Sequence, residues 1–104
     1  MIVERRTFLV KTMKEQEVVD LIKAATEANI EAGGVSTGSY RIYIPEIGPF
    51  NVVAVEWEYK DLEEMQADWE AWETNLATPE FWEKWCALTE RGGEREIWQL
   101  AAQG

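Results

Sequence analysis

The sequence contains no histidine, only one cysteine and no long apolar run. Without histidine, the Ser–His and Cys–His nucleophilic pairs are excluded, and so is a haem held by a proximal histidine. A zinc ion would need cysteine or carboxylate ligands alone, and a single cysteine does not make such a site. The apolar stretches fall short of the roughly 18 residues that cross a bilayer. We therefore expect no metal, no cofactor and no membrane partner.

The single cysteine also bears on the compartment. Cys86 cannot form an internal disulfide, which favours a reducing environment. The opening residues, MIVERRTFLV, place acidic and basic side chains inside an apolar stretch and do not resemble a signal peptide. These features predict a cytoplasmic protein. Cys86 itself is expected to be a small buried hydrophobe, since no activating group stands near it in the sequence.

Basic residues are scarce relative to acidic ones. Ten Lys and Arg against twenty Asp and Glu give a formal net charge of -10, which repels phosphate backbones and argues against nucleic-acid partners. The 104 residues fit a single domain over 1–104. Six Trp, three Tyr and three Phe are a heavy aromatic load for this size and suggest a buried interface or an internal cavity.

Four segments have the composition of β-strands. They are rich in β-branched and aromatic residues and span residues 2–11, 37–44, 51–59 and 95–101. Three helix-start signals separate them: Thr12 with Glu15, Asp61 with Glu64, and Thr78 with Pro79. Gly33-Gly34 and Gly92-Gly93 are typical helix ends. The order β-α-β-β-α-α-β predicts an α+β, ferredoxin-like βαββαβ fold with an extra short helix.

The third strand predicts a homodimer. In it Val53, Val55 and Trp57 alternate with Val52 and Ala54, so both faces carry apolar residues. Helices can cover only one face of this sheet, and a second copy of the chain is the simplest cover for the other.

The stretch DWEAWETNLATPEFWEKW, residues 68–85, contains four tryptophans. Trp69 and Trp72 share a helical stripe with Met65, and Trp82 and Trp85 follow on a second helix. Two interpretations stay open: the rings fill the core between sheet and helices, or they form the wall of a ligand pocket there.

The acidic residues between Glu56 and Glu73 are expected to form a solvated face, with a weak divalent-cation site as the alternative.

A few polar side chains fall where the pattern predicts burial. Glu4 and Arg6 share one face of a strand that is central in this fold, so they are expected to pair, for structure or for function. Asn29 lies on the apolar stripe of the first helix, where it bonds the helix end or orients a ligand. The candidate ligand-binding residues are Arg6, Asn29, Tyr40, Tyr43, Trp57, Trp69 and Trp85, with no catalytic residue assigned.

Three segments carry a family resemblance. ERRTF at 4–8, GPFNVVAVEWEYKDLEE at 48–64 and PEFW at 79–82 resemble the opening strand, central block and short helix of the NIPSNAP family. The resemblance implies a dimeric α/β barrel, in which two ferredoxin-like sheets close against each other, and no agreed catalytic residues. Val55 stands where many members have a histidine, which argues against an acid–base role at that position.

We therefore expect a homodimer that binds a small hydrophobic or aromatic molecule in an aromatic-lined pocket, or that serves as an interaction module. The alternative is a cofactor-independent monooxygenase or isomerase acting on a small aromatic substrate in the same pocket. There Arg6 would stabilise an enolate-like anion, and Glu4 or Glu56 would have to act as the base.

Overall fold

The structure, a computed structural model, describes residues 1–33 and 39–104. The elements, in chain order, are β1 Ile2–Leu9, α1 Glu15–Glu31, β2 Tyr40–Tyr43, β3 Val52–Tyr59, α2 Leu62–Asn75, α3 Pro79–Leu88 and β4 Glu94–Gln99. This is the predicted order. The start of the predicted second strand, at Thr37 and Gly38, and the second glycine of the pair at 33–34 lie outside the described residues.

The four strands form one antiparallel sheet in the order β2-β3-β1-β4. The first strand is therefore central, as predicted, with Glu4 opposite Trp57 of β3 on one side and Ile97 of β4 on the other. Successive residues of a strand point to opposite faces, so Glu4, Arg6 and Phe8 share one face. The ferredoxin-like α+β fold with an extra short helix is confirmed.

The core lies between α1 and the two central strands. Val18 and Ile22 of α1 pack against Val53 and Val55 of β3 and against Val10, which follows β1 directly. Val18, Val53 and Val55 have no exposed surface. Burying an aliphatic side chain of this size stabilises the fold by about 1.5–3 kcal/mol, so this small cluster fixes α1 on the sheet.

The second and third helices begin where the sequence predicts. The Asp61 side chain accepts a hydrogen bond from the backbone N–H of Glu64, at 2.9 Å. The Thr78 hydroxyl accepts one from the backbone N–H of Phe81, at 3.2 Å, and Pro79 occupies the first helical turn. Each such bond satisfies a backbone donor that has no partner inside its helix. No helix within the described ranges is long and apolar enough to cross a membrane.

The predicted start of α1 at Thr12 is wrong. The helix begins at Glu15, and its cap residue, Lys14, makes no side-chain capping bond. Met13 has a φ of 64°, and the Lys14 N–H donates to the Lys11 carbonyl at 3.0 Å. The chain therefore makes a tight turn first, with Thr12 and Met13 as its two central residues.

Two other expectations about α3 need correction. Cys86 is exposed rather than buried, because it lies about 100° around the helix from Trp85, which faces the interior. Gly92-Gly93 does not end the helix, which stops at Leu88. Gly93 instead turns the chain into β4: its φ is 108°, and a Cβ there would lie 2.2 Å from the Thr7 carbonyl oxygen.

The face of the sheet away from the helices is apolar only in part. Val52 and Ala54 of β3 lie on it, as predicted, but Glu56 and Glu58 follow them. Glu56 pairs with Arg5 at 2.6 Å, and Glu58 pairs with Arg41 at 2.8 Å. This surface, called the open face below, thus combines apolar side chains with ion pairs that are already formed.

Candidate functional site

A cavity of about 130 Å³, partly open to the surface, lies between the sheet and the three helices. An apolar cavity of roughly 150 Å³ holds one benzene molecule, so this one has room for about one aromatic ring. Aromatic side chains form most of its wall: Phe8, Trp57, Tyr59, Trp69, Trp72, Phe81, Trp82 and Trp85.

Neighbouring rings of the wall mostly meet edge to face; the exception is the stacked pair of Phe81 and Trp85. Trp69 contacts both Trp57 and Trp72 with ring centroids 5.7 Å apart, and Trp72 contacts Phe81 at 5.2 Å. The interplanar angles of these pairs lie between 69° and 84°. Such contacts contribute about 0.5–1.5 kcal/mol each beyond burial, so each ring helps to fix its neighbour. The tryptophans therefore fill the space under the helices and line the cavity at the same time.

Glu4 anchors this wall to the sheet. It has no exposed surface, and its Oε1 accepts a hydrogen bond from the Trp69 indole N–H at 2.5 Å. Its Oε2 accepts from Nε of Arg95 at 2.6 Å and from Nε of Arg6 at 3.4 Å. The expected pairing of Glu4 with Arg6 is thus present, and the same carboxylate also binds Arg95 of β4 and Trp69 of α2.

Arg6 lies at the edge of the cavity beside the same tryptophan. Its guanidinium carbon is 4.2 Å from the centroid of the Trp69 ring, a cation–π geometry. Burial lowers the pKa of Arg6, while Glu4 opposes that change. The side chain is about one quarter exposed, so the cation is held in place yet remains accessible from the cavity.

A second buried carboxylate, Asp68 of α2, faces the cavity directly. Its Oδ2 accepts the Tyr59 hydroxyl at 2.6 Å, and its Oδ1 accepts from Nδ2 of Asn29 at 3.0 Å. This group joins β3, α1 and α2. Burial raises the pKa of Asp68, and the two hydrogen bonds, which favour the ionised form, oppose the rise. Burial, followed by the bond to Asp68, likewise raises the pKa of Tyr59.

The sequence interpretation missed Asp68, which was assigned to the solvated acidic face and is only 8% exposed. A signal was present: Asp68 lies three residues after Met65 and four before Trp72, on their stripe. The same spacing predicts that Leu62 lies on this stripe, but Leu62 is 57% exposed.

Five of the seven candidate residues line the cavity together: Arg6, Asn29, Trp57, Trp69 and Trp85. The two tyrosines of β2 do not. Tyr40 is on the edge strand, and its hydroxyl donates to Glu27 of α1 at 3.1 Å. Tyr43 lies on the open face, where its hydroxyl donates to Glu56 at 3.4 Å.

Of the two carboxylates named as bases, neither lines the cavity. Glu56 lies on the open face and pairs with Arg5. Glu4 lies behind the wall, where its carboxylate accepts hydrogen bonds from Arg6, Arg95 and Trp69. Asp68 is the carboxylate that the fold brings into the cavity. Within residues 1–33 and 39–104, no three Cys, Asp or Glu side chains come together in a way that could hold a metal ion.

The chain matches a family model described as NIPSNAP over residues 3–97. Among solved structures, a NIPSNAP domain protein from Burkholderia xenovorans is similar with a TM-score of 0.72 at 21% sequence identity, over 98% of this chain and 96% of that one. A NIPSNAP family protein from Agrobacterium tumefaciens gives a TM-score of 0.64 at 24% identity, over 94% of this chain and 90% of that one.

One further similar structure is that of a named enzyme. SnoaB from Streptomyces nogalater, a cofactor-independent oxygenase, gives a TM-score of 0.62 at 14% identity, over 98% of this chain and 94% of that one. At these identities the likeness shows the fold alone. No curated protein matches the chain.

The role of Glu4 as anchor predicts a large effect of Glu4→Gln. An amide cannot neutralise Arg6 and Arg95, and breaking a buried pair costs about 3–5 kcal/mol. Because Arg95 is half exposed, we expect a loss near the lower bound, about 3 kcal/mol, in urea unfolding. Glu56→Gln is the matched control on the open face, with an expected loss below about 1 kcal/mol. Equal losses in the two variants would contradict the assignment.

The hydrogen bond from Tyr59 to Asp68 should influence how the stability of the fold depends on pH. Because burial raises the folded-state pKa of Asp68, the folded protein binds this proton more tightly than the unfolded chain. Stability from this group therefore falls as pH rises from about 4 through the folded-state pKa. Tyr59→Phe removes a donor to the carboxylate, so we expect a higher Asp68 pKa by carbon-13 NMR and a steeper fall, costing about 1–3 kcal/mol at neutral pH.

Tyr40→Phe is the control for this measurement, since the hydroxyl that it removes bonds Glu27 outside the cavity. It should leave the Asp68 titration unchanged. An Asp68 titration that is also unmoved by Tyr59→Phe would refute the proposed coupling.

Proposed function

The chain belongs to the NIPSNAP family, and from this premise we propose that it is a cytoplasmic homodimer that binds a small hydrophobic or aromatic molecule in the cavity under its helices. The observation that carries the proposal is the aromatic wall around a space of about 130 Å³. Edge-to-face rings present both π-faces and ring edges to that space, which are the surfaces that another aromatic ring packs against. The single cysteine supports a reducing compartment.

The polar groups of the cavity favour a ligand-binding site over an incompletely packed hydrophobic core. Binding sites are typically apolar with a few placed polar groups that fix orientation, and here Arg6, Asn29 and Asp68 have that place. Nε of Arg6 bonds Glu4, and the remaining nitrogens of its guanidinium are suited to a ligand oxygen. A purely structural core of this size would gain more from aliphatic side chains in these positions.

The open face supports the homodimer. Besides Val52 and Ala54 it carries Tyr43 and Trp98, which are 42% and 58% exposed. The charged residues of this face already form two ion pairs, Arg5 with Glu56 and Arg41 with Glu58. A second copy that covered the face would therefore not bury an unpaired charge. A second copy that presents the same mixture closes the barrel expected for this family.

A second candidate function is cofactor-independent catalysis on an aromatic substrate, as a monooxygenase or isomerase. Asp68 favours it, since a carboxylate with a raised pKa in an apolar cavity is suited to accept a proton from a bound ring. Arg6 would then stabilise the enolate-like anion that this proton transfer leaves. The oxygenase activity of the fold neighbour from Streptomyces nogalater is consistent with such use of the fold.

Ligand binding is tested by tryptophan fluorescence with single-ring aromatic compounds that do not absorb at the excitation wavelength. We expect a saturable change in emission. Ala25 lines the cavity, and Ala25→Leu should fill part of it and weaken binding by at least about tenfold, the equivalent of roughly 1.4 kcal/mol. Ala24→Leu, an exposed position on the same helix, is the matched control. Equal affinity in both variants would contradict a site in this cavity.

The homodimer is tested by light scattering coupled to size-exclusion chromatography. We expect a mass about twice the 12.0 kDa of the chain. Trp98→Glu places a charge on the open face and should yield monomers, because an unpaired charge in an interface is strongly unfavourable. Trp82→Glu, on the helix side, should leave the dimer intact. A wild-type monomer at micromolar concentration would refute the proposal.

A further inference from the structure

Asn29 presents an acceptor without a partner. The residue is 5% exposed and lines the cavity. Within residues 1–33 and 39–104, its Oδ1 is the buried side-chain nitrogen or oxygen atom that makes no hydrogen bond. Buried polar groups are nearly always bonded in folded proteins, so an orphan at the wall of a cavity indicates a group that arrives with a ligand.

Asp68 determines which atom of the Asn29 amide has no hydrogen-bond partner. An ionised carboxylate only accepts hydrogen bonds, so it requires the Nδ2 of Asn29 to face it. The Tyr59 hydroxyl occupies the other oxygen of Asp68. The amide therefore cannot turn over, and its oxygen is the atom that remains for a donor.

Other acceptors of the wall already receive a hydrogen bond: the two oxygens of Asp68, from Tyr59 and Asn29, and the Thr26 hydroxyl. The Trp69 indole N–H donates to Glu4, and the Trp57 indole N–H donates to the Thr26 hydroxyl at 3.5 Å. A donor on a bound ring would thus find its unmatched acceptor at Asn29. The cavity is also too small for much beyond one ring, which limits the ligand to a compact molecule.

We propose that Asn29 selects ring ligands that carry a hydrogen-bond donor, phenolic hydroxyls first, over apolar rings of equal size. The inference rests on the proposed binding function and adds the chemical class of the ligand. Asp68 acts in it as the positioning residue, because its carboxylate holds the Asn29 oxygen toward the ligand.

Three matched probes test the selection: phenol, which donates and accepts, anisole, which only accepts, and toluene, which does neither. Each is titrated into nitrogen-15-labelled protein, and the shifts of the tryptophan indole N–H signals are followed. We expect phenol to bind about tenfold more tightly than toluene or anisole, the amount that one net hydrogen bond supplies.

Two variants separate recognition from structure. Asn29→Leu has a similar volume but no acceptor, and it should lose the preference for phenol over anisole, since both of these probes can still accept from Arg6. In Asp68→Asn the new amide can accept from Tyr59 and donate to Asn29, which turns the Asn29 amide over and directs its N–H₂ into the cavity. That variant should prefer both anisole and phenol to toluene, since both oxygens accept, and it should lose the preference for phenol over anisole. A structural role alone would not produce this change in preference.

The outcomes are distinct. Equal binding of all three probes to the wild type, or a preference for phenol over anisole that survives Asn29→Leu, overturns the selection and leaves the proposed binding function standing. Absence of binding by all three overturns both. If Asn29→Leu does not fold, Asp68→Asn decides, and an unchanged preference for phenol over anisole in that variant refutes the proposal.

Discussion

A carboxylate with no contact with solvent, Glu4, sits in the middle of the sheet, and the arrangement around it follows from that burial. A buried charge is tolerated only with opposite charge and hydrogen bonds nearby, so β4 must bring Arg95 and α2 must bring the Trp69 indole to it. Through Trp69 this requirement reaches the aromatic wall, since that ring contacts Trp57 on one side and Trp72 on the other. The site is therefore attached to a fully buried side chain of the central strand.

The two buried carboxylates differ because their partners differ. Glu4 is surrounded by two guanidinium groups and an indole N–H, and its charge is neutralised within the wall. Asp68 has only neutral donors, Tyr59 and Asn29, and burial raises its pKa. The same chemical group thus acts as a structural anchor in one place and as a candidate reactive group in the other, and environment alone makes the distinction.

Local patterns in the sequence predicted the element order, two of the three helix starts and the central position of β1, because caps, turns and alternation involve neighbouring residues. They failed where a distant partner decides. Asp68 can be buried because Asn29, 39 positions away, and Tyr59 donate hydrogen bonds to its carboxylate. Cys86 was misjudged because Cys is usually buried, and only the phase of α3 shows that it faces outward. Tyr40 shares a face with the cavity, yet its edge strand lets the hydroxyl reach Glu27 instead.

The concentration of tryptophan between residues 68 and 85 accounts for why a chain of 104 residues retains a cavity at all. Aliphatic side chains change rotamer and close gaps, whereas indole rings are flat, rigid and large. Once Trp69, Trp72 and Phe81 meet near perpendicular, no small adjustment of one ring fills the space between them without breaking a contact to another. The remaining gap is bounded by ring faces and ring edges, so its shape and chemistry match a further ring. The wall that stabilises the helices therefore also determines which molecules fit beneath them.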